Sequence, residues 1–139
     1  MVRTRLQSNF KSLRTRPAAW ANRREVKGAM KVAEIKYLAI PYSHPDPNVR
    51  DERFGIANRI ASDLMKQGHL IFSPISHSHS IDLGGDWGRW EKFDRIFLEL
   101  CSGMVVVCAP GWEESKGVKA EIEIFKQLGK GDKIEFLVP

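Results

Sequence analysis

A chain of 139 residues, 42% hydrophobic and 28% charged, is one domain's worth and long enough to bury a core. No apolar run approaches the roughly 20 residues that span a bilayer, which argues against a membrane protein. The net charge of +5 is concentrated: residues 1–31 hold nine Lys/Arg against Glu25 alone, leaving 13 basic and 16 acidic residues in the rest, so the body offers no basic nucleic-acid surface.

Residues 1–33 read as a basic arm without a clean period, and three readings of it are open. It is a solvated arm touching acidic partners or a neighbouring subunit, with nucleic acid reached only through it. It is sequence upstream of the natural start, since Met30 opens "MKVAEIKYLAIPYS". Or it is an Arg-rich, acid-poor mitochondrial presequence. Cys101 and Cys108 sit in apolar runs and read as buried small hydrophobes of a reducing, cytoplasmic setting. A disulfide between them stays open.

The second domain, 34–139, is regular. "IKYLAIPYS" (35–43) predicts a buried strand. Residues 46–68 predict a helix with Asp46 as cap, Pro47 in the first turn and Gly68 at the end. "HLIFSPI" (69–75) predicts a second strand, and "SHSHSIDLGGD" a polar loop. A helix is expected over 87–103. "MVVVCAP" (104–110) has the unbroken apolar character of a central parallel strand. "ESKGVKAEIEIFKQLG" (114–129) predicts a loop turning into a helix, and "KIEFLVP" (133–139) a last strand. Strands alternating with helices predict an α/β fold, a doubly wound, Rossmann- or flavodoxin-like parallel sheet of four to five strands with helices on both faces. Such sheets take ligands beyond the carboxyl ends of the strands, where "PYSHPDP", "SPISHSHSIDLGGDW" and "APGWEESKG" leave.

Two acids are out of place on their helices. At 100° per residue Glu121 falls on the arc of Val118, Ile122, Phe125 and Leu128, with Ile124 at its edge. Asp94 falls among Trp90, Phe93, Ile96, Phe97, Leu100 and Cys101, with Leu98 at the flank. An inward carboxylate is costly without compensation. Paired carboxylates in a desolvated pocket can divide into acid and nucleophile, as chemistry at an anomeric carbon requires. Ahead of Glu121, Ser115 can cap the helix and Gly117 permits close backbone approach, so the helix start suits a phosphate.

"YLAIPYS", "FDRIFLELCSGMVVV" and "PGWEESKGVKAEIEIF" together resemble the nucleoside 2-deoxyribosyltransferase superfamily, most closely its small uncharacterised bacterial and phage branch of DUF1937-like proteins. The resemblance implies that Glu121 is the nucleophile attacking the sugar, that Asp94 is the assisting acid, and that Tyr42 is the tyrosine beside the nucleophile, with Tyr37 the alternative. Ser115, six residues before Glu121, resembles the serine of members that hydrolyse nucleoside 5′-monophosphates. It also implies a homodimer or larger assembly. The expected activity is cleavage or exchange of the N-glycosidic bond of a nucleotide; the alternative is a non-catalytic nucleotide-binding or sensing module. Ser43 beside Tyr42, His77 and His79 in their H-x-H pair, and Trp112 as a stacking platform complete the substrate-binding set. No cofactor and no metal are expected.

Overall fold

The computed structural model describes residues 34–81 and 87–139. The basic arm, residues 1–33, lies outside the described residues, so neither it nor its boundary at 34 enters the account that follows.

Four strands form one sheet in the order β2-β1-β3-β4, every pair parallel. They are β1 (Ile35–Ala39), β2 (Leu70–Phe72), β3 (Gly103–Val107) and β4 (Ile134–Leu137). Parallel neighbours need crossover connections, and helices supply them: α1 (Pro47–Lys66) and α2 (Pro74–Ser78) flank β2, α3 (Trp87–Leu100) leads to β3, and α4 (Lys116–Gln127) leads to β4. The doubly wound α/β expectation is therefore met, with four strands.

Alternation along β1 sorts the core into two layers. Tyr37 and Ala39 join Leu98, Val118 and Phe125 on the α3/α4 side. Leu38 and Ile40 join Ala57, Ile60 and Ala61 on the α1 side. All five residues of β3 are buried, as the apolar run 103–107 requires of a central strand with helices on both faces.

Helix ends follow the cap chemistry. The Asp46 side chain accepts from the Asn48 backbone N–H, with Pro47 opening α1. Lys130 closes α3: its Nζ donates to the carbonyls of Leu98, Glu99 and Cys101 at 3.2, 2.8 and 2.7 Å. Those are carbonyls the last helical turn leaves unpaired.

Two expectations shift. The strand expected over 69–75 stops at Phe72, and residues 74–78, expected as strand and loop, form α2. Ser73 caps it by accepting from Ser76 N–H at 3.4 Å, and Pro74 presets the first turn. On α3 the buried stripe runs through Asp94, Leu98 and Cys101, while Ile96 and Leu100 are 56% and 71% exposed. The stripe is thus rotated from the most apolar arc, because the helix lies with Asp94 towards the sheet. Both cysteines are free thiols; Cys101 is buried and Cys108 half-buried. Among the described residues no helix is long and apolar enough to cross a membrane.

Candidate active site

Three separated elements bring Tyr37, Asp94 and Glu121 to one buried place. Tyr37 comes from the middle of β1, where it pairs with Met104 of β3 and Phe72 of β2. Asp94 comes from α3 and Glu121 from α4, helices that pack side by side. Tyr37 is 0%, Asp94 7% and Glu121 6% exposed; the two acids are the buried charged residues among those described. Both inward-facing positions read from the helical wheel are therefore occupied as expected.

The surroundings are apolar. Phe72 stacks on Phe97 at 4.0 Å, and Phe97 meets Phe93 at 4.8 Å, so rings flank Asp94 along its helix. No Lys or Arg among the described residues pairs with either acid. Among the described residues, Tyr37 Oη, Asp94 Oδ1 and Glu121 Oε2 are buried and meet no hydrogen-bond partner in acceptable geometry. Orphaned buried polar atoms are rare enough to need a reason. Here three occur together among the described residues, an arrangement that costs stability.

Electrostatics follow from that burial. Desolvation lifts the Asp94 carboxyl from 3.8 to about 7. Glu121 rises from 4.5 to about 8, chiefly by desolvation; the Tyr37 hydroxyl works against the rise and the Asp94 charge adds to it. Tyr37 acts at close range although its hydroxyl is not aligned on the carboxylate as a hydrogen bond. Burial, then the charges of Glu121 and Asp94, hold the Tyr37 phenol well above its ordinary value. Two interacting carboxyls titrate as a pair, so the lower and upper steps belong to both. Near neutrality the pair exchanges its protons, the condition for acid and nucleophile to coexist.

The other expected residues occupy different places. Tyr42 lies in the loop after β1, with its hydroxyl 2.7 Å from His79 Nδ1. Tyr37 and Glu121 influence each other's ionisation. The Ser43 carbonyl accepts from Arg53 Nη1 at 3.0 Å. His77 is exposed on α2 and stacks on Phe93 at 5.2 Å, beside Asp94 in sequence. His79 closes α2, and its Nε2 lies 3.0 Å from Asp51 Oδ1. Trp112 is half-buried, packed on the α3/α4 core and against Phe136 at 5.7 Å. It borders a cleft of about 550 Å³ beyond β3 that the acids do not line. Ser115 caps α4, its Oγ accepting from Val118 N–H at 3.3 Å, and Gly117 lies in that first turn.

Asp51 and Arg53 are site neighbours that sequence reading passes over. Both lie on α1, whose charges give no periodic cue to which of them turn towards the loops. Among the described residues no cluster of three or more His, Cys, Asp or Glu side chains is arranged to hold a metal ion.

The family described as a domain of unknown function, DUF1937, covers residues 34–134. No curated protein matches the chain.

Proposed function

The chain belongs to the DUF1937 family, and we propose that it cleaves or exchanges the N-glycosidic bond of a (deoxy)nucleoside 5′-monophosphate, with Glu121 as nucleophile. One observation carries the reading: a buried pair of carboxyls beside a buried tyrosine, with no cation paired to either acid and a polar atom on each of the three left without a partner among the described residues.

In the first step the Glu121 carboxylate attacks C1′ and the C1′–N bond breaks, its electrons leaving with the base. Asp94, kept protonated into the neutral range by burial, gives the departing base its proton. The nearby Tyr37 hydroxyl favours the ionised form of Glu121. The glycosyl ester is then opened by water, giving hydrolysis, or by a second base, giving exchange.

The preference for a 5′-phosphate rests on Ser115. Its cap uses an oxygen lone pair, so the hydroxyl proton is still available to donate, and a carboxylate there would repel a phosphate. Lys116 and Lys119 add positive charge in the same turn.

The reactive form holds one proton in the pair, on Asp94; with Asp94 at about 7 and Glu121 at about 8 that proton rests mainly on Glu121, so the reactive arrangement is the minor tautomer of a form that peaks between the two steps. The expected kcat/KM profile is therefore a bell centred between them. Base release from a panel of nucleoside 5′-monophosphates tests the reading, with Glu121→Ala expected to abolish it in a folded protein. Undiminished release by that variant removes Glu121 from the role. Nucleotide-dependent thermal stabilisation without any product favours the non-catalytic binding module instead.

A further inference from the structure

A second polar constellation sits outside the buried acids. Tyr42 Oη is 2.7 Å from His79 Nδ1, and His79 Nε2 is 3.0 Å from Asp51 Oδ1. The three residues come from the loop after β1, the end of α2 and the second turn of α1, so the tertiary fold assembles them. The imidazole is held from the side as well: it stacks on Phe54 at 4.2 Å and 15°, and Tyr42 meets it edge-on at 88°. Its side chain is 19% exposed. Asp51 and Tyr42 are the ionisable groups shown to meet the ring, and Phe54 covers one face.

The order of the hydrogen bonds is fixed by chemistry. An ionised carboxylate only accepts, so His79 Nε2 carries the proton that faces Asp51. Nδ1 of the neutral ring is then a bare acceptor, and the Tyr42 O–H donates to it. A tie meant only for support would be satisfied by either tautomer; Asp51 selects one. The arrangement repeats the logic of a hydroxyl–histidine–carboxylate triad with a phenol in the hydroxyl's place. It lies at the carboxyl end of β1, next to the point where strand order reverses between β1 and β3, the place such sheets present to ligands.

We propose that Asp51, His79 and Tyr42 form a proton relay that makes Tyr42 a base for a water or sugar hydroxyl bound beyond the carboxyl end of β1. The O–H bond of the bound group breaks as its proton passes to Tyr42 Oη, and the Tyr42 proton passes to His79 Nδ1. The imidazolium so formed lies against the Asp51 carboxylate. The oxygen left behind keeps the electron pair and attacks; in the reaction proposed above, its target is C1′ of the glycosyl ester. That use rests on the reading of Glu121, whereas the direction of the relay does not. Tyr42 is the catalytic residue here, and His79 and Asp51 are positioning residues that act through it.

The test combines magnetic resonance with base release on the full chain. Two-bond proton–nitrogen correlation at pH 8 is expected to show His79 as the Nε2–H tautomer, with Nδ1 unprotonated. The Tyr42 Cζ resonance is expected to differ between the unsubstituted protein and His79→Phe, which keeps a ring stacked on Phe54 but removes the acceptor. Asp51→Asn, at a side chain 68% exposed, removes the pure acceptor and is expected to admit the Nδ1–H tautomer without unfolding. An Nδ1–H tautomer in the unsubstituted protein overturns the relay. In the base-release assay, His79→Phe is expected to lower kcat about 10²-fold with KM changed less than about threefold. Release that needs Glu121 but is unchanged in His79→Phe overturns the catalytic use of the relay. Release that persists in Glu121→Ala sinks the glycosyl reading instead, and the tautomer alone then decides the relay.

Discussion

Replacing Glu121 by Gln should stabilise the folded protein, and by an amount that grows with pH. Glu121 ionises at about 4.5 when exposed and at about 8 when folded. Below the lower value both states carry the proton and the group contributes no difference. Between the two values the unfolded chain releases the proton while the folded one retains it, so stability falls as pH rises, levelling off above about 8. The shift of about 3.5 units corresponds to about 5 kcal/mol at alkaline pH and about 3 kcal/mol at pH 7, at about 1.4 kcal/mol per unit. Both are ceilings, because water entry and relaxation around an ionised Glu121 reduce them. Gln keeps the shape and the orphaned oxygen but cannot ionise, so it removes this penalty alone. Urea and thermal unfolding at pH 4, 6, 7.5 and 9 should show the variant within about 1 kcal/mol of the parent at pH 4. It should be about 2–4 kcal/mol more stable at pH 9, a rise of roughly 6–15 °C in Tm. A difference that is flat with pH, or a variant that loses stability towards alkaline pH, would refute the burial argument on which the site depends.

Three further substitutions probe the surroundings. Tyr37→Phe removes a buried hydroxyl that has no aligned partner yet favours ionised Glu121 by its proximity; stability should hold or rise by about 1 kcal/mol, while the alkaline limb of the base-release profile, the step nearest the Glu121 value, moves to higher pH. Ser115→Ala should cost about 1 kcal/mol of unfolding free energy through loss of the α4 cap, and if its hydroxyl also meets phosphate, KM for a nucleotide should rise while KM for the free nucleoside does not. Lys130→Met leaves the Leu98, Glu99 and Cys101 carbonyls without their shared donor and should lower stability by about 1–3 kcal/mol in denaturant titration.

The sequence carried the fold because its signals were of the kind local physics enforces. An unbroken apolar run at 104–107 can be a covered strand and little else, and Asp46-Pro47 and Ser115 are caps whose side chains act within three residues. Asp94 and Glu121 were legible as well, since a carboxylate inside an apolar arc violates a local rule that burial then confirms. What failed to show was non-local. Helix α2 emerged from a stretch read as strand and loop, because a serine cap and a proline outweighed the apolar residues around them. That Tyr37 turns to the α3/α4 side depends on which strand face packs on those helices, and its place in the sequence does not reveal it. Asp51 looks like any exposed helix acid until His79 arrives from 28 positions downstream.

The pairing of β1 with β3 has a consequence for how the molecule comes into being. Ser102 and Ile35, 67 residues apart, are joined at the start of that pairing. A nascent chain therefore exposes Leu38 and Ile40 long before the strand that seals them has been made, with the three-residue β2 as the earlier neighbour on offer. Parallel sheets of this kind close large loops before any return is felt, which slows folding and lengthens exposure to aggregation. Tyr37, the third member of the buried cluster, joins Asp94 and Glu121 through that closure, so completion of the pocket waits on the pairing of β1 with β3.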